Sequence, residues 1–181
     1  PHTDAITYFA RGLGSAHLGD SAATRSALRS LEECRDRLNT LKETYWANQV
    51  EIQRVELGAW LAFAEGKPED ALAGMRAAAA LEDKTEKSAV TPGPLAPARE
   101  QLGELLLELK QPALALKEFK STLVKEPKRF RSLYGAAKAA KLAGDRQTEQ
   151  FYFQELAKVA EHADQPGRQE LAEALHVITM N

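Results

Sequence analysis

Four histidines, His2, His17, His162 and His176, lie far apart in the chain, and none belongs to a His-Glu-x-x-His arrangement. That spacing puts two imidazoles over one zinc ion on a single helix face, and nothing in the chain reproduces it. Glu161-His162-Ala163-Asp164 offers ligating side chains, but a short polar stretch near a helix end reads as a solvated turn. Cys34 is the single cysteine, so neither an internal disulfide nor a multi-cysteine metal site can form. It lies in Leu31-Glu32-Glu33-Cys34-Arg35, where carboxylates raise a thiol pKa instead of lowering it as a nucleophile requires. No Gly-x-Ser-x-Gly elbow occurs. Gly12-Leu13-Gly14 lacks the preceding strand and the spacing of a phosphate loop, so these glycines are read as points of close helix packing. Glu100, Glu104 and Glu108 follow i, i+4, i+8 and share one helix face. Acid–base catalysis needs one carboxyl desolvated or coupled to a partner, and the pattern predicts a solvated face instead. The expectation is a non-enzymatic chain with no catalytic residue, no metal and no cofactor.

The composition agrees with a soluble, folded protein. The 181 residues are 44% hydrophobic and 28% charged, and 24 Lys plus Arg against 26 Asp plus Glu leave a formal charge of −2. A strongly basic nucleic-acid binder is disfavoured. Between Lys117 and Lys141, eight basic residues oppose Glu118 and Glu126, but they fall on two helices and a turn, which argues against a single RNA-binding track. No apolar run approaches the ~20 residues of a membrane helix. The chain opens on Pro1 with no initiator Met and no signal segment, which predicts a piece of a longer protein. Cytoplasmic, periplasmic and secreted settings all stay open.

Self-similarity organises the rest. Four stretches read as an apolar-periodic helix, a tight turn and a second such helix. Their turns are Gly19-Asp20, Gly66-Lys67-Pro68, Lys110-Gln111-Pro112 and Gly144-Asp145. A glycine can take the left-handed conformation, an Asp can cap the next helix, and a proline fits the first helical turn. The turns are 47, 44 and 34 residues apart, so a 34-residue unit with two insertions fits. The third unit carries Leu102-Gly103-x-x-Leu106, Ala115-x-x-x-Phe119 and Pro127. On these residues the chain resembles the tetratricopeptide-repeat family over about residues 4 to 160. Small Gly103 and Ala115 let two helices approach, and Phe119 fills the space between successive pairs. The fourth unit matches at Ala136, Ala137 and Phe153, the second at Ala71 and Met75, and the first at Gly12, Thr24 and Leu28. Tyr45-Trp46-Ala47-Asn48-Gln49-Val50-Glu51-Ile52-Gln53, followed later by Val90-Thr91-Pro92-Gly93-Pro94, is similar to the C-terminal part of long bacterial members of that family.

The expected fold is all-α, a right-handed α-α superhelix of four helix pairs plus a C-terminal capping helix, in a single array over 1–181. The units span about 4–41, 43–83, 96–129 and 130–160. The first insertion lengthens helices. The second, 84–95, contains Pro92, Gly93 and Pro94 and is expected to be an irregular excursion. Leu171, Ala174, Leu175 and Ile178 follow i, i+3, i+4, i+7 and predict the cap over 168–178. At the other end, Ala5, Ile6, Tyr8, Phe9, Leu13 and Leu18 spread around most of the first helix. This predicts that upstream repeats or a second copy cover it.

The resemblance implies that the first helix of each pair lines a concave groove. The inward stripes would then be Gln53, Glu56, Trp60 and Phe63; Glu100, Glu104, Leu107 and Glu108; and Arg131, Tyr134, Lys138 and Lys141. Aligning the second unit on Gly58 instead gives Ile52, Val55, Ala59 and Ala62. An acidic row would lie beside a basic one, with Trp60, Phe63 and Tyr134 as aromatic anchors or as ordinary core. The rows either pair with each other or orient a peptide. The glutamates of the third unit depart from the family's clamp for acidic peptide termini, which argues against chaperone-tail binding. The expected function is a non-catalytic scaffold that binds a protein or peptide. The alternatives are a self-assembly segment of a larger regulatory protein and, less favoured, an RNA-binding helical repeat.

Overall fold

Left-handed residues divide the chain into helices. Gly19, Gly66 and Gly144 take φ values of 75°, 74° and 77°, and Lys110 takes 57°. In each turn the next amide reaches back to close the preceding helix: Asp20 to Ser15, Lys67 to Ala62, Gln111 to Leu106 and Asp145 to Ala140, with N···O distances of 2.8–3.0 Å. Lys42, at φ 61°, precedes the same closure from Glu43 to Leu38. The four turns aligned by sequence thus share one geometry, and the equivalence of Lys110 with the turn glycines is physical.

The computed structural model describes residues 1–85, 94–163 and 167–179. Most of the 84–95 excursion falls outside these residues, as do Val90-Thr91-Pro92-Gly93, Asp164 and Gln165-Pro166. Among the described residues the fold is all-α, with no strand. The helices are α1 (His2–His17), α2 (Ser21–Thr40), α3 (Thr44–Ala64), α4 (Pro68–Lys84), α5 (Ala98–Glu108), α6 (Pro112–Lys125), α7 (Phe130–Leu142), α8 (Arg146–Val159) and α9 (Gln169–Thr179). The Asp20 carboxylate accepts from Ala23 N at 2.9 Å, and that of Asp145 accepts from Thr148 N at 3.0 Å, so both cap the helix that follows. Pro68 and Pro112 open α4 and α6, where the missing N–H costs no helical bond.

The chain divides into two compact units within α5, between residues 101 and 102. In the first, Pro1–Gln101, consecutive helices α1 to α4 pack on one another and α1 also touches α3. Gly12 is a point of very close approach. A β-carbon there would collide with the Leu57 side chain of α3 and stand 2.9 Å from Ala27 of α2. Gly74 of α4 performs the same task against Ala59 of α3, at 3.3 Å. Phe9, Leu31, Leu38, Leu57, Trp60 and Met75 fill the core.

In the second unit, Leu102–Asn181, α6 packs on α7, α7 on α8 and α8 on α9. Phe119 of α6 is fully buried against Gly103 of α5 and Gly135 of α7, filling the gap between one pair and the next as its spacing predicts. Leu133, Ala137, Phe153, Leu156 and Ala174 form the next layer, with Tyr134, Val177 and Ile178 packed against it. The capping helix buries Leu171 and Ala174, but Leu175 is 48% exposed. The apolar face of α9 is therefore turned toward Val177 and Ile178. No described helix is long and apolar enough to cross a membrane.

Candidate functional site

The stripe expected on α3 lies inside the first unit. Trp60 is buried because side chains from three helices converge on its ring. Its Nε1 donates to Gln101 Oε1 of α5 at 2.7 Å, His17 of α1 packs at 4.4 Å between ring centroids, and Phe63 of α3 itself meets it edge-on at 5.9 Å. Glu56, one turn earlier, is 1% exposed. Neither of its carboxyl oxygens has a hydrogen-bond partner, and the buried Oε1 of Gln53 has none either. Burial pushes the Glu56 carboxyl well above the usual range, and the neighbouring charges of Glu82 and Glu100 push it further. Glu100 is itself fully buried, unlike the solvated face expected for it. Gln53 and Phe63 are half-buried. In the alternative register, Ile52 and Ala59 are buried, while Val55 and Ala62 are half-buried.

Glu82 has a positional task. Its Oε2 accepts from Ala98 N at 3.0 Å, placing a carboxylate from α4 at the first amide of α5. An acid is favoured at a helix N-terminus by the unpaired amides and the helix dipole. Arg99 pairs with Asp83 beside it. Sequence spacing gives no sign of these contacts, because Glu82 and Ala98 are 16 residues apart.

A second cluster outside the expected stripes ties α2 to α3. Glu51 accepts from Arg35 Nη1 at 2.9 Å, from Arg54 Nε at 2.8 Å and from Arg54 Nη2 at 2.7 Å. The Arg54 contact, joined by Arg35, holds the Glu51 carboxyl below its usual range against the opposing effect of burial. The i, i+3 spacing of Glu51 and Arg54 is the part of this network readable from sequence.

In the second unit one residue of the expected acidic row pairs with one of the expected basic row. Arg131 of α7 donates to Glu104 Oε1 of α5 from Nη2 at 2.8 Å and from Nε at 3.1 Å. Glu108 and Lys138 are exposed. Tyr134 and Lys141 are engaged by α9. The Tyr134 hydroxyl donates to Glu173 Oε2 and Lys141 Nζ to Glu173 Oε1, both at 2.8 Å. Burial, and then Glu173, push the Tyr134 hydroxyl up to about 12. The sequence pattern does not single out Glu173. Its signal is its place between Leu171 and Ala174, beside the apolar edge that docks α9.

Cys34 is buried, and its thiol is pushed up by burial and then by Asp4, an environment that suppresses the thiolate. Among the described residues, no three His, Cys, Asp or Glu side chains are grouped to hold a metal ion. The basic residues from Lys117 to Lys141 are divided between α6, α7 and the turn joining them.

Each side chain in these clusters is engaged with a neighbour, buried in packing or open to solvent. The exposed stripe residues include Glu108 of α5 and Arg131 and Lys138 of α7. No protein-family model matches the chain, and no curated protein matches it either.

Proposed function

We propose that this chain is a non-catalytic protein-interaction scaffold that presents the polar faces of α5 and α7 to a protein or peptide. The observation that carries this reading is the contrast within the second unit. The helix backbones are fixed by the buried Phe119 ring, while Glu108, Arg131 and Lys138 stay exposed on the faces so fixed. A rigid backbone bearing exposed charges of both signs favours orientation and rapid encounter of a complementary surface. The resemblance of the four pairs to tetratricopeptide repeats supplies the inward orientation of α3, α5 and α7 and a right-handed superhelix.

The first unit contributes differently. Glu56, Trp60 and Glu100 are interior, and the Trp60 indole bond to Gln101 ties α3 to α5. The test is affinity capture with wild type, with a Glu108→Lys, Lys138→Glu double variant, and with Arg29→Glu on α2 as control. Partner recovery should fall for the double variant alone. Equal recovery by all three rejects this face.

Self-assembly has one observation of its own. Ile6 is 43% and Leu18 87% exposed at α1 and its C-terminal cap, and a groove of about 610 Å³ lined by Tyr8, Arg11, Gly14, Leu18 and Ser26 runs between α1 and α2. A mass that rises with concentration in light scattering, and that Leu18→Ser abolishes, would favour this second reading.

A further inference from the structure

We propose that Glu56 is a proton-operated latch: protonated, it lets α3, α4 and the first turn of α5 close on one another, and loss of its proton to solvent loosens that joint. The latch does not depend on which partner the chain binds.

The geometry is unusual in its one-sidedness. Glu56 is fully enclosed in the first unit, and neither of its oxygens has a hydrogen-bond partner. The other buried polar atom without a partner on the same helix is again an acceptor, Gln53 Oε1, one turn away. The groups acting on Glu56 from the helices around it are also acids, Glu82 of α4 and Glu100 of α5. From α1, His17 faces the Trp60 ring, one turn along α3 from Glu56. From α2, Arg35 is committed to Glu51 and Asp36. Among the described residues, then, the charges that act on this carboxyl share the sign it would acquire.

A buried carboxylate without a hydrogen bond or a counter-ion is strongly disfavoured, so the closed joint selects the neutral acid. Ionisation adds a further negative charge at the place where Glu82 holds the Ala98 amide and Gln101 holds the Trp60 indole. Those two hydrogen bonds tie the first turn of α5 to α4 and α3. They are the contacts that repulsion, or water drawn in to solvate Glu56, would open.

Linkage fixes the sign. A carboxyl whose folded pKa lies above its unfolded value stabilises the fold fully below the unfolded value, and the contribution is lost as pH rises through the folded one. This is the reverse of an ordinary salt-bridged glutamate.

The experiment uses the full chain in a Trp46→Phe background, so that Trp60 emission reports the joint. Melting temperature, Trp60 emission and hydrogen exchange of the amides of 98–101, corrected for intrinsic rates, are followed from about pH 5 to about pH 9. Wild type should lose melting temperature and protection at 98–101 as pH rises. Glu56→Gln should melt higher at the alkaline end, with a flat profile. Glu82→Gln keeps an oxygen for the Ala98 amide but removes one charge, and should shrink the loss seen at the alkaline end, because ionised Glu56 then meets less repulsion. The infrared C=O band of a protonated carboxylic acid should be present at neutral pH in wild type and missing in Glu56→Gln. A Glu56→Gln profile that slopes as wild type does, or a wild-type spectrum without that band, overturns the proposal.

Discussion

The Phe119 ring lies against the α-carbon of Gly103 so closely that a β-carbon there would stand 2.8 Å from Cζ, and Gly135 presses even nearer from α7. One aromatic side chain is therefore held between glycines of two different helices. Alanine is the better helix former, by roughly 1 kcal/mol, yet a ring so enclosed cannot yield to a methyl group. Overpacking then costs about 1–3 kcal/mol, so the steric effect wins. Gly135→Ala should be destabilising. Phe119→Ala should cost about 3–5 kcal/mol. Combined, the two changes should cost clearly less than their sum, since each removes the cause of the other's penalty. Urea denaturation of the four proteins in the cycle measures this, and strict additivity would contradict the packing described.

Gly14 makes the opposite case. It is a helical glycine of α1, and a β-carbon added to it would meet nothing within 4 Å. With no neighbour to strike, only the backbone entropy of glycine is removed. Gly14→Ala should therefore stabilise the chain by about 0.5–1 kcal/mol. Thermal melts compare it directly with Gly12→Ala, which meets Leu57 and Ala27 and should destabilise. If both variants shift in the same direction, the assignment of Gly12 to the α1–α2–α3 contact fails.

Glu173 gives a dependence on acid. Burial acts to raise its carboxyl, but the hydrogen bonds from Lys141 and Tyr134 outweigh burial and hold it below its usual range. A depressed carboxyl contributes stability above its unfolded value, and that contribution is lost as pH falls through the folded one. Acidification should therefore release α9 before the rest of the second unit. Tyr134→Phe should cost about 1 kcal/mol at neutral pH. Glu173→Gln should lower the neutral melting temperature and flatten its fall between about pH 5 and about pH 3. Hydrogen exchange over 169–179 locates the loss; uniform loss across the chain would contradict it.

The elements are legible in the sequence because their signals are local. Gly19, Gly66 and Gly144 announce left-handed turns, Asp20 and Asp145 announce caps, and Pro68 and Pro112 announce helix starts. Gly103, Ala115 and Phe119 are legible because their sizes must be complementary at fixed spacing. The facing of Glu56 and Glu100 is not. A helical period assigns residues to a face, but whether that face meets water depends on what packs over it. For α3 the cover includes His17, a whole helix pair earlier in the chain, and Gln101, which is 41 residues beyond Trp60. Charged residue type misleads for the same reason: Glu100 reads as solvated until its enclosure is known. Leu175 shows the converse, an apolar residue in the right period left open because the α9 contact is completed by Val177 and Ile178.

The paired bonds to Glu173 give the last helix an electrostatic role in addition to covering apolar surface. Shortening the chain before this residue would uncover a phenol and an ammonium on α7 together with the exposed Lys138. Helix α9 thus sets how cationic a surface is displayed there, and removing it would change that surface's charge as well as how firmly the second unit folds.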